Sequence, residues 1–567
     1  MYTGPELIKL LENQHQRRGI SDLFRRGTFT LLWRSKVGSF PHPDVETMVS
    51  AGEPCGAWHI ANGRPEDKRQ LDANLDKMLE LPLNGYIPGS SIRGIVRTWA
   101  MERPSIRRQM LELLGCQESN VIQAGKIEFL DAWPEQATKL VLDIVNPQQK
   151  FQVYHEGQGA PLSLYTLGNG EDSIAVTVAI RGIPGKVSPE DVETVWQWVQ
   201  QALSVHGVGS RTAAGYGCIK APSNFQASRE LRQAENGCIS KTFEFTLYSQ
   251  GCAGPNREKQ EFRPSHWRGW LRSWILRFLL GVMSKDRAEE TLWELMGTLE
   301  PNTRKGCVQI RMTPRETWGD HSDNSPYFYI WKGELQITAK SEILNKIILP
   351  IIRFAVSVGG VGRGWRRPLH IFHMNNGRAS SRGSMLIMKH QVRISEGKWE
   401  RKPFGLPLNS ERWTSAYENW LTAVRSQWAD RIDVNANRLL ASEVFSPQTC
   451  AIYAVPGPDA NPVDENNFEW LETNAIETRG EGMHLIYEPN YKRNPDVGGN
   501  AANSNPNCSW VSIRRINSPS KEIDADCQEI VCLFLGGQSP QSNHIRSRFL
   551  QDLQRMTGLV HLFGVRS

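Results

Sequence analysis

Apolar and polar positions along the chain fall into two successive series with the same grammar. A strand-like run, Thr28-Phe-Thr-Leu-Leu-Trp33, opens the first series, and a long polar segment rich in Gly, Pro and charge follows it up to Leu83. Ile92, Ile95, Val96 and Trp99 then repeat at i, i+3, i+4 and i+7, one face of a helix, with Ser90 and Ser91 as candidate N-caps. Arg93 and Arg97, four residues apart, share another face of that helix. Ser173 to Ile180 reads as a strand, and Ser188-Pro-Glu-Asp191 has the form of a helix start. The helix it predicts runs to about His206 and ends in Gly207-Val-Gly-Ser-Arg-Thr-Ala-Ala-Gly-Tyr-Gly217, before a short strand at Cys218-Ile-Lys220. Strand, helix, strands, helix, glycine loop, strand is the order of a ferredoxin-like domain.

The second series repeats this order with different residues. Thr242-Phe-Glu-Phe-Thr-Leu-Tyr248 alternates as a strand, and Trp267, Leu271, Trp274 and Phe278 form one apolar helical stripe. Arg268 and Arg272 lie off that stripe, again four apart. A second apolar helix begins near Ile347 and ends in Gly359-Gly-Val-Gly-Arg-Gly-Trp-Arg-Arg367, ahead of Leu369-His-Ile-Phe372. The expected fold class is α+β: two tandem ferredoxin-like (RRM-like) domains with loop insertions. The first spans 1–222, a polar linker 223–236, and the second 237–567 with long insertions, including an Asn-, Gly- and Pro-rich surface loop from Glu488 to Asn507.

Composition narrows the function classes. At 567 residues, 39% hydrophobic and 22% charged, the chain is long enough for more than one core and reads as globular. It has no apolar run of membrane-spanning length and no signal-peptide pattern at its start, so the expectation is a cytoplasmic protein without a membrane partner. The ten cysteines contain no C-x-x-C pair and are expected to be free thiols rather than a zinc site. A net charge of +6 and a pI near 8.7 permit RNA binding without establishing it. Of the 19 Trp residues most are expected in cores, with some available to stack on bases. A nucleotide cofactor is not expected: there is no G-x-x-x-x-G-K-[ST] loop, and the glycine segments follow helices rather than strands.

The two glycine loops are the candidate chemistry. Glycine lets the backbone approach a ligand closely, and successive N–H groups can cradle phosphate oxygens. Gly207, Gly209 and Gly215 stand in the first loop with Arg211, and Gly360 stands in the second with Arg363, Arg366 and Arg367. Arginine suits phosphate because its planar fork pairs bidentately. The helix start at Ser90 and Ser91 adds partial positive charge, and Arg93 and Arg97, or Arg268 and Arg272, extend the surface. The plainer alternative, a tight turn between helix and strand, suffices for one loop alone. Two loops, each paired with a Ser-initiated helix, favour RNA contact.

Tyr86-Ile-Pro-Gly-Ser-Ser-Ile-Arg-Gly94 resembles the P-G-S-S-hydrophobic-basic-G signature of RAMP proteins, and Gly207 to Gly217 resembles their glycine-rich loop. Asn146-Pro147 through Tyr154, followed by Ala160-Pro161-Leu162, is similar to the thumb-like insertion of such subunits. Phe262-Arg-Pro-Ser-His-Trp-Arg-Gly-Trp-Leu-Arg272 resembles the same helix start in two-domain RAMP subunits, with Ser-His-Trp in place of Ser-Ser-hydrophobic. The region after about Tyr417 has no such resemblance.

The resemblance implies a backbone subunit of a type III CRISPR complex that binds guide crRNA, lies among other type III subunits and cuts complementary target RNA. The family's catalytic aspartate lies before the P-G-S-S element, where this chain has Asp44, Asp67, Asp72 and Asp76. Asp72, in Leu71-Asp-Ala-Asn-Leu75, fits the family form best and is the implied catalytic group and ligand for Mg²⁺ or Mn²⁺, with Asp76 behind it. The bland alternative makes Asp72 a polar residue of a short helix carrying Leu71, Leu75 and Met78. His42 and His59 are weaker acid–base candidates, and the equivalent second-half loop offers Glu258 and Glu261 but no Asp, so that domain is expected only to bind. Two rival readings are a non-catalytic RNA-binding scaffold of the same complex and a CRISPR repeat-processing endoribonuclease.

Overall fold

The computed structural model describes residues 3–37, 39–41, 48–50, 80–118, 121–145, 162–170, 172–222, 225, 237–251, 260–298, 302–315, 319–374, 376–395, 398–433, 443–459, 461–494, 497, 509–516, 527–536 and 540–566. The chain divides into two compact units, one of residues 1–147, 160–238 and 254–259, the other of 148–159, 239–253 and 260–567.

The first unit opens with α1 (Gly4–Arg17), closed by a reciprocal cap in which the Thr3 hydroxyl accepts the Glu6 N–H and the Glu6 carboxylate accepts the Thr3 N–H. Strand β1 (Phe24–Leu31) starts earlier than the apolar run alone predicts. Its first turn carries Arg25 and Arg26, which pair with Glu193 at 2.7 Å and Glu12 at 2.6 Å instead of entering the core. There follow α2 (Gly89–Met101), α3 (Pro104–Leu114), β2 (Ile127–Phe129), β3 (Lys139–Val145), β4 (Leu162–Leu167), β5 (Ile174–Gly182), α4 (Pro189–His206) and β6 (Ile219–Lys220).

The main sheet runs β6-β1-β5-β2, with all three neighbouring pairs antiparallel. Phe29 faces Val176, Leu31 faces Ile219 and Ile180 faces Phe129. Numbered along the chain, its strands lie in the order 4-1-3-2, with α2 between the first two and α4 between the last two. That is the ferredoxin-like arrangement. The α4 start is the one its sequence predicts: the Ser188 hydroxyl accepts the Asp191 N–H, and the Asp191 carboxylate accepts the Ser188 N–H at 3.0 Å. Phe29 and Leu31, Val96 and Trp99, and Val195 and Val199 bring sheet and helices into one buried cluster.

The second unit repeats the order. It has β7 (Cys238–Ser249), α5 (Pro264–Leu280), α6 (Lys285–Met296), β8 (Gln309–Pro314), β9 (Tyr329–Lys340) and α7 (Leu349–Val358). Helical structure begins at Ser341, earlier than the apolar periodicity indicates, and passes through a π turn at Leu344–Ile348 just before Pro350. Proline lacks an N–H to continue the α pattern, and the wider turn absorbs its ring. After the second glycine loop come β10 (His370–His373), β11 (Ala379–Arg382), β12 (Ser384–Ser395) and β13 (Lys398–Pro403).

The sheet here runs β8-β9-β7-β12-β13, again 4-1-3-2 through its first four members, with β13 added at the edge. The fourth strand is therefore Ser384–Ser395. The Leu369–Phe372 segment, which by analogy stood in that place, instead forms a separate hairpin of β10 with β11. Beyond this lie α8 (Ser410–Gln427), β14 (Cys450–Pro456), α9 (Glu481–Tyr487), β15 (Val511–Ile516), β16 (Gln528–Phe534), α10 (Pro540–Gln554) and β17 (Val560–Gly564). Their sheet, β15-β16-β14-β17, shares the hydrophobic core of the second unit.

Helix α5 is the centre of that core. Its stripe of Trp267, Leu271, Trp274 and Phe278 is wholly buried, but so is most of its remaining surface, including Arg277 at 0% exposure. A charge in that position needs a partner. The Glu443 carboxylate accepts from Arg277 Nε at 2.8 Å and lies 2.5 Å from Arg366, itself 8% exposed. Burial alone would push the Glu443 carboxyl up, but the two guanidinium groups outweigh it and hold the group below its ordinary value.

Truncation of Glu443 leaves two buried cations uncompensated. Glu443→Ala is expected to lower unfolding stability by about 3–5 kcal/mol, read from the urea midpoint. A second expectation concerns pH. Burial holds both His266 and His370 neutral, with pKa values pushed from 6.5 down to about 3. The unfolded chain takes up protons at these sites below about pH 6.5 while the folded chain does not, so stability falls as pH drops. Denaturation curves between pH 7 and about pH 4 should show a slope approaching about 1.4 kcal/mol per pH unit for each histidine. A flat profile in His266→Gln/His370→Gln chains identifies the pair as its source.

Candidate nucleic-acid interface

The P-G-S-S element is built around close backbone contact. Pro88, extended at ψ 134°, precedes a helix that begins at Gly89, earlier than a cap at Ser90 or Ser91 would place it. A Cβ at Gly89 would stand 2.1 Å from the Phe129 carbonyl oxygen of β2, so only glycine allows helix and strand to meet. The Gly89 N–H donates to the Asp131 carboxylate at 2.8 Å. Ser90 and Ser91 are thus not the caps expected of them: Asp131 supplies the negative group at this helix end. A phosphate brought there meets that carboxylate as well as the helix dipole.

Arg93 and Arg97 each have a partner within the first unit. Arg93 donates to the Leu114 carbonyl and Arg97 to the Gly115 carbonyl, so together they close the C-terminus of α3. The second unit repeats the device. Arg268 donates to the Met296 carbonyl and Arg272 to the Gly297 carbonyl at 2.9 Å, closing α6. Gly115 and Gly297 have matching φ values of 80° and 77°, and the chain turns back in both cases into a short bridge or hairpin. Burial pushes Arg268 down to about 10, still charged at neutral pH. These four arginines therefore hold the helix pairs together.

The first glycine loop closes on the segment after β1. Val208 N–H donates to the Gly217 carbonyl at 2.8 Å, Ser210 N–H to Lys36 at 2.9 Å and Gly217 N–H to Arg34 at 2.7 Å. At Gly217, φ is +64° and a Cβ would lie 1.8 Å from the Val208 oxygen; at Gly209 it would lie 2.2 Å from the Lys36 oxygen. Beneath the loop a buried group fixes it: Tyr216 donates to Asp143 at 2.6 Å, and Arg34 Nε lies 3.9 Å from the same carboxylate. Asp143 is 0% exposed and Arg34 4%. Gly207 and Gly215 are also at positive φ, and Arg211 is one of only two non-glycine residues so placed among those described, at φ 57°. Arg211 is half-buried; its carbonyl accepts the Ala214 N–H at 2.8 Å, and its guanidinium has no hydrogen bond or ion pair among the described residues.

The second loop folds in a similar manner. Gly360 N–H donates to Trp365 at 2.8 Å and Arg367 N–H to Gly364 at 3.0 Å. Arg363 is exposed. Arg366, expected on an RNA-facing surface, is instead turned inward to Glu443, because the charge of Arg277 in α5 requires that carboxylate and the carboxylate accommodates both cations. Arg367 is likewise committed, donating to the Val497 carbonyl at 3.2 Å and to the Ser509 hydroxyl at 2.7 Å. His266 is a helix-start residue, its Nδ1 accepting the Arg263 N–H at 3.2 Å.

Asp44, Asp67, Asp72, Asp76, His42 and His59 lie outside the described residues, as do Glu258 and the insertion at 146–161. Glu261 is described and pairs with Arg263 at 3.2 Å. Among the described residues no group of three or more His, Cys, Asp and Glu is placed to hold a metal ion, and no helix is long and apolar enough to cross a membrane. Sequence reasoning missed Asp131, Asp143 and Tyr216. Asp143 carried a usable signal, a lone carboxylate within the apolar run Leu140-Val-Leu-Asp-Ile-Val145.

Strand order and glycine-loop geometry define the class: two ferredoxin-like units, each with a helix pair closed by arginines. Residues 58–220 match the model of the RAMP superfamily. No curated protein matches the chain. A chain in the cryo-EM structure of the Type III-B Cmr-beta bound to cognate target RNA is 17% identical, with 38% of this chain and 65% of that chain covered and a TM-score of 0.24. Cmr6 from Pyrococcus furiosus is 16% identical over 35% of this chain and 97% of that one, with a TM-score of 0.19. The ferredoxin-like assignment stands on the strand order and not on these partial likenesses.

Substitution at the loop separates its two supports. Gly217→Ala is expected to cost at least about 1–3 kcal/mol of stability, since φ and contact both oppose a side chain. Asp143→Asn keeps the Tyr216 bond but leaves Arg34 buried without its counter-charge. Hydrogen exchange should therefore speed up at Ser210 and Gly217 in both variants, with an unfolding midpoint below wild type.

Proposed function

We propose that this chain is an RNA-binding backbone subunit of a type III CRISPR effector complex. On this reading it lies along the guide crRNA among the other subunits and cuts the complementary target RNA through its first unit. The observation that carries the reading is the RAMP-superfamily match over 58–220, on a unit whose glycine loop is anchored from below by buried groups. Resemblance of the second helix start to two-domain RAMP subunits supports the type III assignment.

Each unit offers RNA its own glycine loop. Gly207, Gly209, Gly215 and Gly360 provide close backbone approach, and Arg211 and Arg363 provide charge for phosphate. Backbone and arginine contacts of this kind carry no base preference, which suits a protein that must hold guides of any sequence. Ser90 and Ser91, exposed and half-exposed at the α2 start, add hydroxyl donors beside Asp131. Arg93, Arg97, Arg268 and Arg272 act mainly through the helix pairs they close, and any RNA contact uses N–H groups left over from those bonds.

Asp72 is the proposed catalytic carboxylate and Asp76 the second. Asp72 positions the 2′-hydroxyl for attack on its own phosphate, which forms the O2′–P bond and breaks the P–O5′ bond. Bound Mg²⁺ or Mn²⁺ would supply charge neutralisation at that phosphate. The second unit binds without cutting.

The test uses the assembled complex, a guide-complementary RNA and added Mg²⁺ or Mn²⁺. With Asp72→Ala, one cut should disappear while assembly and target binding persist. An unchanged cut pattern in Asp72→Ala and Asp76→Ala complexes leaves the chain a non-cutting scaffold, and precursor-repeat cleavage by the isolated chain would replace both readings with a processing nuclease.

A further inference from the structure

Next to the second glycine loop, Phe372 of the β10–β11 hairpin lies against Tyr487 at the end of α9, ring centroids 6.0 Å apart and planes inclined by 34°. The Arg382 guanidinium carbon is 3.6 Å from the Phe372 centroid, and that of Arg479 is 3.8 Å from the Tyr487 centroid. Lys492 Nζ stands 5.6 Å from the first ring and 5.5 Å from the second. The rings are half-buried, while Arg382 and Lys492 are exposed. Tyr487 is held from behind by His370, whose Nε2 is 2.9 Å from the phenol oxygen and whose Nδ1 is 2.8 Å from the Pro368 carbonyl.

The charge of this patch is unbalanced. Several buried cations elsewhere in the unit have carboxylates: Arg277 and Arg366 have Glu443, and Arg515 has Glu529 at 3.4 Å. Among the described residues Arg382, Arg479 and Lys492 form no ion pair, and the Arg479 Nε is buried with no hydrogen-bond partner. Arg367, close behind, is satisfied by carbonyls and a hydroxyl, which do not neutralise it. Gathering cations without counter-charge costs folding energy, and a bound anion relieves that cost. Two of these cations also stand over aromatic rings. A guanidinium held this way presents its outer face as a rigid plane, on which a nucleobase stacks as it does on an aromatic ring.

We propose that Arg382 on Phe372, with Arg479 and Lys492 beside Tyr487, forms a seat for one unpaired nucleotide of a single-stranded RNA. The base stacks on the Arg382 plane, and its phosphate is received by Arg479 and Lys492. Phe372 and Arg382 lie directly after the second glycine loop in the chain, so the strand that crosses that loop supplies the nucleotide. The inference rests on the RNA-binding reading above, and adds an aromatic site where that reading has only backbone and arginine contacts.

The test uses the full chain and short fluorescein-labelled oligouridylate and oligoadenylate RNAs, with anisotropy measured over a range of salt. Arg382→Ala and Phe372→Ala are compared with Arg211→Ala, and 4-thiouridine RNA is used for crosslinking. Wild type should crosslink at Phe372 or Tyr487, and Arg382→Ala should weaken binding about tenfold without moving the melting temperature. Lys492→Ala should make the log–log salt dependence shallower by about 0.7, and a duplex of the same length should compete poorly. If crosslinks fall only on the glycine loops and Arg382→Ala binds within about twofold of wild type, the cluster is structural and the seat is refuted while RNA binding stands. If wild type neither binds nor crosslinks, the RNA-binding reading fails and the seat with it.

Discussion

A helix that ends inside a small domain leaves its last carbonyls without partners, and both units of this protein solve that problem in the same way. Two arginines one turn apart on the first helix, Arg93 and Arg97 or Arg268 and Arg272, donate to the final carbonyls of the next helix. The bonds fix α3 against α2 and α6 against α5, and so determine where the chain re-enters the sheet as β2 or β8. Because charged donors bond more strongly than neutral ones, each clamp does more than a glycine terminator alone. The sheet order 4-1-3-2 follows in both units, since each second strand must leave from the same end of a fixed helix pair.

The glycine loops show a second shared solution. Each loop contributes one side chain that reaches a buried carboxylate: Tyr216 to Asp143 in the first, Arg366 to Glu443 in the second. The residue types differ and so do the partners. In the first unit the carboxylate comes from β3 and also meets Arg34; in the second it precedes β14 and also meets Arg277 in α5. The two loops are alike in being anchored below and glycine-rich above. An anchored loop keeps its backbone in place without a ligand, and little conformational entropy is lost when one binds.

Much of the fold was legible because it is written in periodicity. The stripe of α5, the capping box of α4 and the strand at Ile174–Gly182 follow from spacing alone. Where the reading slipped, a local rule was overridden. Arg25 and Arg26 hid the start of β1, because salt bridges let a strand begin with exposed charge. Ser90 and Ser91 looked like caps, but Asp131, forty residues away in the chain, occupies that role. The fourth strand of the second unit was misplaced because the His370–His373 segment pairs locally before the chain returns to the sheet at Ser384. Tertiary partners far along the chain carry no short-range signal. Arg366 and Arg363 look equivalent in the sequence, and only the presence of Glu443 separates a buried cation from an exposed one.

That separation changes where recognition has to be sought. The arginines most conspicuous in the motifs are the ones the fold itself consumes, as helix clamps or as partners of a buried acid. A motif arginine whose donors are committed in this way can contribute to RNA binding only through the N–H groups its structural bond leaves over. Groups that can take a phosphate without that restriction are Arg211, strained into a left-handed turn, and the exposed cations stacked on Phe372 and near Tyr487. Strain at Arg211 points the same way, since a non-glycine residue held at positive φ is retained where the surrounding structure, or a ligand, compensates for it. Physical availability, more than motif membership, therefore identifies which side chains of this protein can meet a nucleic acid.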